Sequence, residues 1–299
     1  MKIVNIIGGL GNQMFQYAFA LSLGKKQEDS DVSIDTSHYH YLFFKKYKGA
    51  NMHNGYEVER VFPQASLPHA KWWQLLKVTW FCPNFLLSRA IRRLLPVRKT
   101  EWVQPVSRYF SYCPEVYDVK GDVYFEGQWS SVSFYTDLRD DLLHVFAHPE
   151  AVGRNAEYIS EMHKTESVGI HIRRGDYLQD PSFRGICEID YYIRAINEIE
   201  KDGDKHHFYI FSNDTLWCKE NIKPLLKKQS GTFVTENQGL NSCWDMHLMT
   251  HCKDLIIANS SFSWWAAFLN NRGGRIVAPQ KWVNRTVDFD IWDKSWIIL

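Results

Sequence analysis

Val168-Gly169-Ile170-His171-Ile172-Arg173-Arg174-Gly175-Asp176-Tyr177 is the stretch on which the reading of this chain turns. Val168, Ile170 and Ile172 alternate with Gly169, His171 and Arg173, the period of two expected of a β-strand. One face of such a strand is apolar, and the other delivers His171 and Arg173 together. The strand then runs into an Arg-Gly-Asp turn, where Gly175 allows backbone angles that other residues resist. Two guanidiniums, an imidazole and a carboxylate thus converge at one strand end. Arginine's planar fork matches phosphate bidentately, so the convergence predicts an anion site, for a nucleotide phosphate. The competing reading is a surface ion-pair cluster that closes a strand.

Working outward, strands and helices alternate regularly. Ile189, Tyr192, Ile193, Ile196 and Ile199 recur at helical spacing. Phe208-Tyr209-Ile210-Phe211 reads as a strand opening into Ser212-Asn213-Asp214, followed by a helix broken near Pro224. A short strand at 232–235, a helix at 243–251 and a buried strand at 255–258 come next, the last emptying into Asn259-Ser260-Ser261-Phe262-Ser263. A helix to Leu269 and a final strand at 275–278 complete the pattern. Alternation of this kind predicts a parallel, doubly wound α/β sheet, with ligands at the carboxyl ends of its strands. The polar turns 173–176, 212–214 and 259–263 all fall there.

The chain opens with a second unit of the same kind: a strand at 3–7, a glycine turn Gly8-Gly9-Leu10-Gly11-Asn12-Gln13, a helix at 14–26 and a strand at 32–35. Glycines at the start of a helix let backbone N–H groups face a ligand. A dinucleotide fingerprint is suggested by Asp35 at the end of the second strand. Against it, Met14 stands at the third glycine position, and Asn12 and Gln13 fill the turn. Pro149-Glu150 marks a link, so the expected domains are 1–150 and 151–299.

Composition narrows the class. Lys plus Arg is 35 against 34 for Asp plus Glu, so no global field draws the chain to nucleic acid. No run is long enough for a membrane span, and no secretory leader is read at the start, so a cytoplasmic protein is expected. Six cysteines without a CxxC read as reduced thiols. Between Pro68 and Phe110 there are eight basic residues against one acid, interleaved with Trp72, Trp73, Trp80, Phe81 and Trp102. That basic, aromatic insertion reads either as a surface for anionic lipid or a lipid-linked substrate, or as tryptophans packed on the core under solvated charges.

Three Asp-x-Asp strings, at Asp29/Asp31, Asp202/Asp204 and Asp288/Asp290, are the residues a metal-dependent transferase would need. The first two precede strands, on the edge opposite the ligands, and the third follows no apolar strand. His247, His251 and Cys243 lack a fourth ligand at zinc spacing and read as packed side chains. No GxSxG or P-loop is present. A metal-free site must neutralise a leaving diphosphate with arginine and N–H donors, which Arg173, Arg174 and a serine-led helix start near Ser261 supply. Asp245, on a helix facing the cleft, is placed to accept from guanine's N1 and N2 donors. Asp176 is either a general base or a brace for an arginine, with Asp180, Glu188 or no base at all as alternatives.

Gly9 to Tyr17, His171 to Tyr177, Ser212-Asn213-Asp214 with Trp217 and Asn221, and Ser261 to Trp265 together resemble the α-1,2-fucosyltransferases of glycosyltransferase family 11. The resemblance runs in order from residue 1 to about 280, and residues 40–110 carry no part of it. It implies a GT-B-like α/β fold of two Rossmann-like domains with mostly parallel sheets. Residues 1–150 would form the acceptor-side domain, with the basic aromatic insertion at about 68–110, and residues 151–299 would bind the GDP-sugar. The implied reaction moves L-fucose from GDP-β-L-fucose to the 2-hydroxyl of a β-galactoside, with inversion and without a metal or other cofactor. By position, Arg173 is implied as the β-phosphate arginine and Asp245 as the guanine acid. Ser260, Ser261, Phe262 and Ser263 are implied as the phosphate turn, with His171, Arg174 and Asn213 beside the nucleotide. Gly11 and Asn12 belong to the loop that meets the substrates. The alternatives are another nucleotide-sugar or dinucleotide enzyme on a similar fold, or a non-catalytic glycan- or membrane-binding protein.

Overall fold

Strand–helix alternation builds two parallel α/β units in the computed structural model, which describes residues 1–27, 31–39, 54–80, 90–91, 94–227 and 229–299. Unit 1 comprises Met1–Ala147 and Val287–Ile291, and unit 2 comprises His148–Thr286 and Trp292–Leu299. Val287–Ile291, which sequence reading carried along with the C-terminal domain, thus belongs with unit 1.

In unit 1, β1 (Lys2–Asn5), β2 (Val32–Asp35), β3 (Glu101–Val103) and β4 (Val123–Glu126) form a parallel sheet in the order β2-β1-β4-β3. The helix from β1 to β2 spans Leu10–Lys26, so it starts four residues before the expected 14. Only Gly8, at φ +93°, uses glycine's conformational freedom, while Gly11, Asn12 and Gln13 are already helical. Gln13 secures the turn, donating to the carbonyls of Gly8 and Gly55, both at 2.8 Å. Much of the aromatic excess is core: Phe19 stacks on Trp129 with ring centres 3.7 Å apart, and Phe125 and Phe134 meet the same tryptophan edge-on.

In unit 2, β5 (Glu166–Ile172), β6 (His206–Ser212), β7 (Ser230–Val234), β8 (Asp254–Ile256), β9 (Ile276–Ala278) and β10 (Ile297–Ile298) form one sheet in the order β10-β9-β8-β5-β6-β7. Every pairing in it is parallel. β10 was not read from the sequence and lies beside β9, the strand expected to be last. Val168, Ile170 and Ile172 pack on Tyr191, Tyr192, Ala195, Ile196 and Ile199 of the helix Ile189–Ile199. The other face of β5 is covered as well: a Cβ at Gly169 would come within 2.6 Å of Leu255 Cδ2 and 3.1 Å of Cys252 Sγ. This strand is therefore buried on both faces, as a central parallel strand must be.

Strand order reverses at one place. The chain steps from β5 to β6 and β7 in one direction and from β8 to β9 and β10 in the other, with β5 and β8 side by side. In doubly wound sheets the loops leaving two such strands form a crevice at their carboxyl ends, the position where ligands bind.

Candidate functional site

Arg173 and Arg174 leave β5 into this crevice. Gly175 follows at φ +36°, and a Cβ there would meet Asn213 Nδ2 at 2.5 Å, so the turn requires glycine. Asn213 in return accepts the Arg174 backbone N–H at 3.0 Å. The two arginines have different partners. Arg174 Nε donates to Asp214 at 3.3 Å, and its guanidinium lies 3.9 Å from the Trp217 ring centre. Asp214 is itself fixed as the cap of the helix Thr215–Asn221, accepting from the Trp217 N–H. Arg173 donates to Asp176 at 3.0 Å and lies 5.5 Å from the Tyr177 ring. Tyr177 stacks on Phe183 and donates to the Asn259 carbonyl at 3.3 Å, tying the β5 loop to the β8 loop.

The β8 loop leads into the helix Ser261–Leu269. Ser260 holds the cap position in extended conformation, and no side chain among the described residues caps the helix, so its first-turn N–H groups and positive dipole end are available to an anion. Of the serines expected to touch phosphate, Ser263 is turned inward, donating to the carbonyls of Ala258 and Ser260. Phe262 packs its ring 5.8 Å from that of His171. His171 is 6% exposed, and its Nδ1 has no hydrogen-bond partner among the described residues. Burial, with Arg173 adding repulsion, holds the imidazole pKa down to about 3, so it stands neutral beside the arginines.

Asp245 sits in the first turn of the helix Cys243–Thr250, with Oδ1 accepting from Asn237 at 2.9 Å. Asn237 follows β7 and exchanges amide hydrogen bonds with Asn155 at 3.0 and 3.1 Å. Burial pushes the Asp245 carboxyl up to about 7, opposed by the Asn237 hydrogen bond. Sequence reading missed Asn155 and Asn237, since nothing local links residues 82 apart. It also missed that Asp214, visible as a helix cap, is the carboxylate that engages Arg174.

Gly11 and Asn12 lie in unit 1. Gly11 is buried in the first helical turn, and the Asn12 side chain lies over Gly8, 3.0 Å from where a Cβ would stand there. Asp35, the acid of the dinucleotide reading, is committed within its unit: it accepts from the Tyr124 hydroxyl at 2.8 Å and from the Ser37 N–H at 2.9 Å.

The Asp-x-Asp strings have structural partners. Asp202 accepts from Arg275 and from His206, and Asp290 accepts from the Ser131 hydroxyl, while Asp29 lies outside the described residues. His247 and His251 belong to a run of imidazoles, His148–His247–His251–His163, with successive ring centres 4.5, 4.7 and 5.2 Å apart. Among the described residues, no three His, Cys, Asp or Glu side chains are grouped to hold a metal ion. Asp180 accepts the Ser182 N–H, and Glu188 is exposed ahead of the helix Ile189–Ile199.

The chain is 30% identical over 305 residues to an α-1,2-colitosyltransferase of Escherichia coli, covering 99% of this chain and 97% of the relative. It is 28% identical to the O-antigen biosynthesis glycosyltransferase WbnK of Escherichia coli, with 98% of each covered. It is 26% identical to galactoside α-(1,2)-fucosyltransferase 2 of Mus musculus, over 89% of this chain and 67% of the relative. The selenomethionine crystal structure of the fucosyltransferase NodZ from Bradyrhizobium shares the fold at 14% identity and a TM-score of 0.50, over 90% of this chain and 91% of that one. The fold is accordingly GT-B-like α/β, two Rossmann-like units with parallel sheets. The sequence profile of glycosyl transferase family 11 matches residues 101–299, more than half of the protein. Profile and near full-length relatives agree, and the chain belongs to glycosyl transferase family 11.

Proposed function

We propose that this glycosyltransferase moves L-fucose from GDP-β-L-fucose to the 2-hydroxyl of a terminal β-galactoside, giving an α-1,2 linkage with inversion and without a metal. One observation carries the reading: two arginines after β5 stand beside an uncapped helix start after β8, where strand order reverses. Guanidinium and N–H donors fixed in that way suit a diphosphate whose charge grows as it leaves. The acceptor oxygen attacks the anomeric carbon as the bond to the β-phosphate oxygen breaks. GDP departs with the electron pair, and the acceptor proton passes to a base or to water. Arg173 binds the β-phosphate and Asp176 steers it. Arg174, held by Asp214 and Trp217, and Asn213, bonded to the Arg174 N–H, keep the turn in shape. His171 offers its neutral Nδ1 to the nucleotide and Asp245 accepts from guanine, while in unit 1 Asn12 and Gly11 are assigned to substrate binding by the family pattern.

The test is incubation with GDP-fucose and a set of β-galactosides, followed by linkage analysis. An α-1,2-fucosylated product, formed at full rate in EDTA, is expected. Hydrolysis alone or another linkage overturns the acceptor assignment, and a strict need for Mg²⁺ or Mn²⁺ overturns the metal-free one. Colitose, named for the Escherichia coli relative, lacks the 3-hydroxyl of fucose, so competition between the two GDP-sugars tests the donor. Preference for the deoxy sugar would replace fucose and leave the linkage standing. Thermal shift separates the nucleotide classes. GDP at about 100 times its dissociation constant adds about 2.7 kcal/mol, and NAD adds nothing.

A further inference from the structure

The helix Trp72–Val78 in unit 1 has a buried and an exposed side of unusual composition. Leu75 and Val78 pack inward with Ile3 and Tyr124. Outward, Trp72 is 65% exposed, Trp73 42% and Leu76 48%, three large apolar side chains on a single short helix. Exposed lysines Lys71 and Lys77 flank them, with the Lys77 ammonium 4.9 Å from the Trp73 ring.

This face is held in place from behind. Arg98 donates to the carbonyls of Leu76 at 3.0 Å, Lys77 at 3.1 Å and Thr79 at 2.9 Å, satisfying the end of the helix. It also stacks 5.1 Å from the Trp80 ring. Glu101, the lone acid between Pro68 and Phe110, is drawn away from the surface: it accepts from the Thr79 hydroxyl and from the Arg98 N–H. Residues 71–100 contain no Asp or Glu, so nothing in the segment offsets the lysines. Phe81, Arg89, Arg92 and Arg93 lie outside the described residues.

We infer that this face docks on an anionic phospholipid surface, which would bring the enzyme to a membrane whatever sugar it transfers. Charge complementarity selects that occupant. Protein interfaces favour tryptophan but are depleted of lysine, whereas the headgroup region takes both, indole at the interface and ammonium on the lipid phosphates. A fixed helix presents its tryptophans with no backbone left to order on binding.

The test is co-sedimentation of the full chain with vesicles of phosphatidylcholine alone and of phosphatidylcholine with phosphatidylglycerol, at low and high salt. Binding to the anionic vesicles, weakened by salt, is expected. The double substitution Lys71→Gln/Lys77→Gln should lower partitioning about thirtyfold, at the usual attraction per cationic side chain. Trp72→Ser/Trp73→Ser should abolish it, with thermal stability and transfer to a small soluble acceptor unchanged. Absence of vesicle binding, equal binding to both vesicle types, or unchanged binding by either variant overturns the inference. Self-association that Trp72→Ser/Trp73→Ser removes, without vesicle binding, assigns the face to a second copy instead.

Discussion

Arg173 and Arg174 are adjacent in sequence and unlike in situation. Arg174 is bound by Asp214, by the Trp217 ring and through its backbone by Asn213. Among the described residues Arg173 has one carboxylate partner, and Asp176 is itself 56% exposed. An exposed pair is worth about 0–1 kcal/mol, so Arg173 leaves Asp176 for a phosphate at little cost. We expect Arg173→Ala to lower kcat by about a hundredfold to a thousandfold with the fold intact, the usual loss for one transition-state donor. Near-normal turnover would remove Arg173 from its role. Asp245 makes a second, pH-resolved prediction. Its carboxyl, raised to about 7, is largely protonated in mild acid and then cannot accept from both guanine donors at once, since one oxygen carries the proton. GDP affinity should rise with pH through about 7 and level off above it, and titration calorimetry on Asp245→Asn should show weaker binding with no such rise. Because the folded pKa lies above the unfolded one, the stability this group contributes is present below the ordinary carboxyl range and fades towards about 7, so Asp245→Asn should also flatten that decline. Gly175 could be read in advance, since an Arg-Gly-Asp turn at a strand end asks for a left-handed angle. The burial of His171 could not: alternation looks the same whether the second face meets water or another helix, and only the later residues Cys252, Leu255 and Phe262 decide it.

The helix Cys243–Thr250 carries a different pH effect. His247 and His251, with His148 against His247 and His163 hydrogen-bonded to His251 at 3.1 Å, form a continuous imidazole run; Trp244 and Arg272 are its other aromatic and charged neighbours. Burial, with mutual repulsion added, lowers His148 to about 4, His247 to about 3 and His251 to about 4. Each is neutral when folded and takes up a proton on unfolding once the pH drops below about 6.5. The stability they contribute is thus complete above that pH and is lost as it falls. The urea midpoint should drop between neutrality and about pH 5, and His247→Phe should reduce the drop. An unchanged slope in the variant would show that the run is not its source. At this scale, legibility followed length and pattern. β5 and β6, seven residues each, declare themselves by apolar period, whereas β3 and β10, with three and two residues, have no period to detect. The helix beginning at Leu10 was hidden because glycine at position 11 reads as turn, although only Gly8 takes a positive φ there.

Over the whole chain, the arrangement of strands rather than any single motif places the site. The reversal between β5 and β8 gathers residues 171–177 and 259–263 at one crevice, though they lie far apart in sequence. Sequence reading named both turns as ligand-facing but could not say that they are neighbours, because strand order is decided by long-range pairing. Unit 1 has a comparable long-range dependence. Its Val132 N–H donates to the Asp290 carbonyl at 2.7 Å, the Asp290 N–H donates to the Phe110 carbonyl at 2.8 Å, and Phe110 packs on Phe289. Removing residues 287–299 should therefore unsettle both units, stripping one of this clasp and the other of β10. Differential scanning calorimetry of that truncation should show neither parent transition retained, and full retention of both would overturn the expectation.

The same clasp dictates timing on the ribosome. Residues 1–147 emerge first, yet the segment that completes their unit is made after residue 286. At about 5–20 residues per second, the first unit waits roughly 7–28 seconds with its seat for Asp290 unfilled. The second unit waits as well, because Trp292–Leu299 and its strand β10 are made after that segment, so neither unit is complete until this last stretch of chain has been added.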